Sequence, residues 1–279
     1  PRSDDNIHVH YKTFESVSAV HHISHEIARQ TLTMQNIKNK IAISFKADTP
    51  AGTGLGSSGA CAVAVMKGVA AFRGKKMNNI KAAEQAFKLT RTLKLPDGVQ
   101  DPYVCSIGGF VVLEINKKGK VKVLKPKIPA VTVKKFFANS IFYYTGVVRE
   151  SKQILVDQDE AKILELKHKT KSLGRQILEC FIKGDLNCFG KLMHEHWHIK
   201  KTMSNKMSSD LFDEIYKKAL EAGALGGKIM GAGGGGYFMF YCPSQKIKRN
   251  VRKVLDSFKM REMDFELDTQ GARVHIIKP

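Results

Sequence analysis

The sequence predicts an α+β fold in two domains. Three observations point there. Strand-like and helix-like stretches are mixed, without the steady β-α-β alternation of a doubly wound sheet. Two glycine-rich segments, 50–59 and 223–236, each adjoin a strand-like run. Pro126 and Pro129 interrupt the chain near its middle, predicting one domain over 1–128 and a second over 129–279.

Each element follows from local pattern. Val17, Val20, Ile23, Ile27 and Leu32 recur at helical spacing and predict a helix over 15–34. Residues 41–45 alternate as a strand. Ser57 to Phe72 carries Val65, Met66, Val69 and Phe72 on one face, with Ser57 or Ser58 as a cap and Gly74 as a stop. A second helix is expected over 79–93, then a breaker-rich loop from Pro96 to Pro102 and a short helix over 103–107. Phe110–Ile115 and Val121–Leu124 flank Asn116–Gly119 as a hairpin. Further on, strands are expected over 140–144, 237–242 and 273–277, and helices over 160–183, 186–203, 209–222 and 244–258.

Bulk composition narrows the function classes. Of 279 residues 43% are apolar, which suffices for such domains. No apolar run is long enough to span a bilayer, and no signal-type segment opens the chain, so no membrane partner is expected. The chain begins at Pro1, which reads as a start inside a longer protein. Five scattered cysteines without a C-x-x-C pair argue against a disulfide framework and fit a reducing cytoplasm. The net charge of +20 favours anionic ligands, phosphorylated metabolites among them. The lysines are dispersed and no aromatic interleaving accompanies them, so nucleic acid is not expected.

The decisive stretch is Pro50-Ala51-Gly52-Thr53-Gly54-Leu55-Gly56-Ser57-Ser58-Gly59. Gly54 to Gly59 spells G-x-G-x-x-G between a strand and a helix. A dinucleotide-binding unit needs a second strand ending in an acid about 20 residues on. That region here is helical in pattern and holds Glu84 inside it. A Walker loop needs a lysine, and none occurs between Lys46 and Lys67. The protein-kinase glycine loop needs a downstream H-R-D, which is absent. What survives is a lysine-free phosphate loop. Its glycines let the backbone approach a ligand, and Ser57 and Ser58 stand at a helix start that favours anions.

Those residues resemble the second motif, P-x-G-x-G-L-G-S-S-A, of the GHMP kinases. Gly227-Lys228-Ile229-Met230-Gly231-Ala232-Gly233-Gly234-Gly235-Gly236 resembles their third motif, and Gln100-Asp101-Pro102-Tyr103 with Gly108-Gly109-Phe110 their aspartate segment. The phrases Phe142-Tyr143-Tyr144-Thr145-Gly146 and Gly223 to Lys228 resemble most the branch acting on D-glycero-D-manno-heptose 7-phosphate. The resemblance implies an N-terminal α/β sandwich domain and a C-terminal ferredoxin-like domain. It implies ATP and Mg²⁺ as cofactors and phosphoryl transfer to the anomeric hydroxyl of the heptose phosphate, for nucleotide-activated heptose synthesis.

By the same resemblance Gly52, Gly54, Leu55, Gly56, Ser57, Ser58 and Gly59 wrap the ATP phosphates, with Ser57 or Ser58 toward Mg²⁺. Asp101 serves as base or orienter of the sugar hydroxyl. Gly231, Ala232, Gly233, Gly234 and Gly235 shape the nucleotide and substrate pocket, and Arg149 meets the sugar phosphate. The partners are ATP and a sugar phosphate, with a monomer or homodimer expected. Two departures stand out. The family's first motif is not found before Phe45, and Thr90 occupies the place expected of a metal-binding glutamate. A kinase for another sugar and a catalytically impaired nucleotide-binding relative therefore remain open. His194-Glu195-His196-Trp197-His198 also spells H-E-x-x-H, but zinc needs a third ligand: the metzincin extension is absent, and Glu214 and Glu221, at plausible distance, fall in an ordinary amphipathic helix, which favours a structural helix with Trp197 turned inward.

Overall fold

The computed structural model describes residues 4–95, 98–148 and 160–277. It is α+β, and the chain forms two compact units. The first comprises 1–50, 56–125 and 267–279; the second comprises 51–55 and 126–266.

In the first unit, β1 (Ile7–His10) pairs antiparallel with β2 (Phe14–Val17) and parallel with β3 (Ile41–Ser44), in the order β2-β1-β3. Ile7, Val9 and Ile41 are buried against Ala28 and Leu32 of α1 (Glu26–Met34) and Val65 and Val69 of α2 (Ser57–Phe72). Ala62, Val63 and Met66 turn another side of α2 toward α3 (Asn79–Thr92), where Ala82, Ala86 and Leu89 meet them. Small alanines let these helices approach closely. Asn78 starts α3 by accepting the Lys81 N–H at 2.8 Å. α4 (Gln100–Ile107) packs on α3 through Tyr103 and Ile107, followed by the hairpin β4 (Val112–Ile115) and β5 (Val121–Leu124).

The C-terminal segment returns to this unit as a strap over the end of α4. The Gly109 N–H donates to the Asp268 carbonyl at 2.7 Å, and the Ala272 N–H to the Ser106 carbonyl at 3.0 Å. The Asp268 side chain accepts from the Gln270 and Gly271 N–H groups, and these bonds hold its carboxyl below the usual range. Lys67, on the buried side of α2, donates to the Ala272 carbonyl and to Asn79 Oδ1, each at 2.5 Å.

The second unit holds the antiparallel sheet β7-β8-β6-β9, formed by β6 (Ser140–Tyr144), β7 (Gly226–Ile229), β8 (Tyr237–Tyr241) and β9 (Arg261–Glu262). Helices α5 (Ala130–Asn139), α6 (Glu160–Lys183), α7 (Leu186–Lys201), α8 (Asp210–Glu221) and α9 (Gln245–Ser257) complete it. Helices separate β6 from β7, β7 turns into β8, and α9 leads to β9. This is the split β-α-β-β-α-β, or ferredoxin-like, arrangement. One sheet face buries Ile141, Tyr143, Ile229, Phe238 and Phe240 against Trp197, Phe212, Ile215, Tyr216, Val251 and Leu255. Within that core, Tyr143 donates to Asp256 at 2.6 Å, while Arg252 clamps Glu262 through two bonds of 2.6 and 2.8 Å.

Several expectations from pattern need correction. Residues 15–34 are not one helix: β2 and a 3-10 turn at Val20–His22 precede α1. Their apolar spacing fits a helix by chance, because Val17 and Val20 pack as flanks of the β1 core. No strand forms over 273–277, and α5 and β7 emerge where none was expected.

Gly271 has φ +66, and a Cβ there would overlap the Ser106 carbonyl and lie 2.6 Å from the Ile107 carbonyl carbon. Gly271→Ala is expected to cost about 2–3 kcal/mol, combining left-handed strain with a displaced strap. Urea unfolding of the variant beside the parent, at constant m-value, measures it; an unchanged midpoint would count against the strap.

Candidate active site

The phosphate loop begins in left-handed backbone. Gly52, Gly54 and Gly56 have φ of 77°, 83° and 72°, which L side chains rarely adopt. Gly56 is itself the N-cap of α2 and no side chain caps the helix, so the expected serine cap is not formed. Ser57 and Ser58 are the first two helical residues. The N–H groups of this first turn have no intrahelical acceptor, and the helix dipole adds positive character there. That combination suits an oxyanion.

Asp101 is in the first turn of α4 rather than in the loop expected from the surrounding prolines and glycines. It lies against the start of α2. A Cβ on Gly56 would stand 3.2 Å from the Asp101 Cγ and 3.3 Å from its Oδ1. A Cβ on Gly59 would stand 2.9 Å from both the Asp101 Cβ and the Pro102 nitrogen. Gly56 and Gly59 are thus the bare positions that let a carboxylate approach an anion-favouring helix end. Asp101 is half-buried, as are Ser57 and Ser58.

In the second unit the two glycine motifs meet. Gly236 has φ +89, and a Cβ there would overlap the Thr53 carbonyl, with Thr53 fully buried. The Thr145 N–H donates to the Gly236 carbonyl, and the Gly236 N–H to the Val147 carbonyl, both at 2.9 Å. The Gly234 N–H donates to the Met207 carbonyl at 2.8 Å, and Gly233 and Gly235 pack against Met207 and Val147. The 231–236 loop is therefore pinned at Thr53, Val147 and Met207. Gly231 is exposed and Ala232 half-buried. Arg149 lies outside the described residues.

Thr90 is fully buried in α3 and donates to the Phe87 carbonyl at 3.0 Å, so its hydroxyl is engaged by its own helix. Among the described residues no group of three or more His, Cys, Asp or Glu side chains could hold a metal ion. Mg²⁺ binds through one or two carboxylates, water and phosphate oxygens. A carboxylate beside a phosphate-favouring helix start would repel a bound phosphate unless a cation bridged them. Asp101 with the Ser57 and Ser58 hydroxyls is a donor set of that kind, and it fits Mg²⁺.

In the H-E-x-x-H stretch, His194 Nδ1 lies 3.0 Å from the Tyr216 hydroxyl and Trp197 is fully buried. His196 is pushed down to about 3 by dehydration and by Lys228 and Lys200. Sequence pattern did not single out Lys200, Lys228 or Lys67; for Lys67 and Lys228 a lysine within an otherwise apolar or glycine run was the available signal.

A phosphate-favouring helix start beside an aspartate, on an α+β frame with a ferredoxin-like second unit, defines a phosphate-handling protein class. A family model described as "GHMP kinases N terminal domain" matches residues 17–109, and "GHMP kinases C terminal" matches 177–259. Together they span more than half of the chain, which belongs to the GHMP kinases. The chain is 29% identical over 231 residues to a D-glycero-alpha-D-manno-heptose 7-phosphate kinase of Campylobacter jejuni, covering 81% of this chain and 68% of that protein. It is 28% identical to a mevalonate kinase of Thermococcus gammatolerans, covering 86% and 70%. A solved D-glycero-D-manno-heptose 1-phosphate kinase from Bacteroides thetaiotaomicron has the same fold, with a TM-score of 0.79, 20% identity and coverage of 98% and 85%. Among the described residues no helix is long and apolar enough to cross a membrane.

Two measurements test the site's packing. Gly236→Ala should lower stability by about 2–4 kcal/mol, because the clash is with backbone. It should also speed hydrogen exchange at 51–55 more than in α9; equal exchange in both places would sink the Thr53 contact. The second is pH dependence. The folded pKa of His196, about 3, lies below its ordinary 6.5, so the unfolded chain binds the proton first as pH falls. Its contribution is therefore complete above 6.5 and lost as the pH drops toward 3. His196→Gln should flatten the fall of Tm between about pH 7 and 5.

Proposed function

We propose that the protein is an ATP-dependent sugar kinase that phosphorylates the anomeric hydroxyl of D-glycero-D-manno-heptose 7-phosphate. The observation that carries the reading is Asp101 against Gly56 at the start of α2. Phosphoryl transfer needs little covalent chemistry from the protein; positioning and charge stabilisation supply most of the rate. The bare backbone from Gly52 to Gly59, with Leu55 among it, and the Ser57 and Ser58 hydroxyls would hold the ATP phosphates. Asp101 would accept or orient the proton of the attacking hydroxyl at its carboxylate oxygen. Mg²⁺, when bound, supplies charge neutralisation on the phosphates, with Asp101 and Ser58 as the residues that would hold it. Gly231, Ala232, Gly233, Gly234 and Gly235 would shape the nucleotide and substrate pocket, and Arg149 would meet the sugar phosphate. The heptose relative supports the substrate class.

A second reading is a nucleotide-binding relative with weak catalysis or none, or a kinase for another sugar. Thr90 favours the impaired form, since its hydroxyl is bonded within α3 and brings no second carboxylate.

The test is ATP consumption across a panel of sugars and sugar phosphates, with the product's linkage read by phosphorus NMR. Turnover should be highest with the heptose 7-phosphate. Asp101→Asn should lower kcat by about 10²–10⁴-fold while ATP still binds. ATP binding without turnover on any sugar would leave the second reading.

A further inference from the structure

Helices α6 and α7 are joined by a turn of two residues, Gly184 and Asp185. Gly184 takes a left-handed φ of 75°, and its N–H donates to the Phe181 carbonyl at 3.3 Å. The Asp185 side chain caps α7 by accepting the Cys188 N–H at 2.9 Å. The chain therefore reverses sharply, and the last turn of α6 faces the first turn of α7. Phe181 and Phe189 meet edge to face with ring centroids 5.0 Å apart, and Phe136 of α5 packs on both at 5.3 and 5.5 Å. That aromatic cluster holds the two helix ends together.

One residue before each of these helix-end phenylalanines is a cysteine. Cys180 is buried on α6 and Cys188 half-buried on α7. The two side chains are hydrogen-bonded to each other, the Cys180 thiol donating to the Cys188 sulfur. Dehydration and that bond push the Cys180 thiol up to about 12, so it stays protonated. Among the described residues, Cys61, Cys105 and Cys242 have no second thiol among the groups that act on them. With sulfur on sulfur, the 180–188 pair meets the first geometric demand of a disulfide, that the two side chains point at each other. The two-residue turn keeps both at high effective concentration.

We propose that Cys180 and Cys188 are an oxidation site that closes to a reversible disulfide when the protein meets hydrogen peroxide. The more exposed Cys188 sulfur attacks one peroxide oxygen. The O–O bond breaks, Cys188 becomes a sulfenic acid, and the other oxygen leaves as water with the thiol proton. The Cys180 sulfur then attacks the Cys188 sulfur. The S–S bond forms, the S–O bond breaks, and hydroxide leaves with the Cys180 proton as a second water. The two thiols lose two electrons and the peroxide gains them. A dithiol reductant reverses the step by exchange. The site does not depend on the kinase reading.

The test uses the unaltered chain, reduced, treated with stoichiometric hydrogen peroxide, blocked with N-ethylmaleimide and digested with trypsin without reductant. Cleavage after Arg175, Lys183 and Lys191 puts Cys180 and Cys188 on neighbouring peptides, 176–183 and 184–191. These should appear as one linked species about 2 Da lighter than their sum. Dithiothreitol should separate them, and Cys61, Cys105 and Cys242 should carry maleimide. Peptides that stay separate, or Cys188 oxidised further with Cys180 still blocked, overturn the site. So does a link that joins two chains, read from a mixture of isotopically heavy and light protein. Dimedone, which captures sulfenic acids, tests the order of attack. It should label Cys188 in Cys180→Ser about tenfold more than Cys180 in Cys188→Ser. Equal labelling in the two variants overturns the assigned order.

Discussion

The close approach of α4 to the first turn of α2 is the constraint on which the candidate site depends. Helix axes normally stay 8–10 Å apart because side chains separate them. Here two side chains are missing where the helices meet, at Gly56 and Gly59, and the Asp101 carboxylate fills the space. Gly56, the N-cap, offers no side chain to the first-turn N–H groups. An anion-favouring surface and a carboxylate thus share one small volume. That arrangement is electrostatically unfavourable for a bare phosphate and favourable for a cation-bridged one.

The far end of α4 is held as firmly as its start. Gly108 ends the helix, and the strap over 268–272 bonds to Ser106 and Gly109. Lys67 ties the strap to α2, and Ser106 donates to the Asn79 carbonyl at 2.6 Å. α4 has only eight residues and could not hold its own geometry in isolation. The residues that orient Asp101 therefore include a segment more than 160 positions away in sequence, which no local pattern reveals.

Legibility followed side-chain pattern. α2 and α6 were readable to the residue because apolar periodicity and glycine stops agree with the tertiary fold. The glycine loop and Asp101 were readable as a motif, yet the helical setting of Asp101 was not, since Pro102 and the glycines around it signal a loop. Pro102 is tolerated because it lies in the first turn, where its missing N–H has no partner to lose. β7 escaped notice because Gly226 and Gly227 are poor strand formers; pairing with β8 imposes the conformation. β1 escaped because Ile7-His8-Val9-His10 is short and only its partners β2 and β3 make it a strand. The overread strand over 273–277 shows the converse, an apolar alternation with no ladder to join.

The second unit repeats the logic of the first at other residues. A Cβ on Gly226 would overlap the Gly190 carbonyl of α7, and one on Gly227 would lie 2.6 Å from the Phe240 ring. Two bare positions let α7 and β8 close on β7, and the next residue carries the charge, Lys228. In the first unit bare Gly56 precedes Ser57 in the same way. Glycine in such places does more than permit a turn. It removes the bulk that would hold a polar group away from neighbouring backbone, so the group loses part of its contact with water and its field is screened less. Dehydration depresses the Lys228 ammonium while leaving it mostly charged at neutral pH.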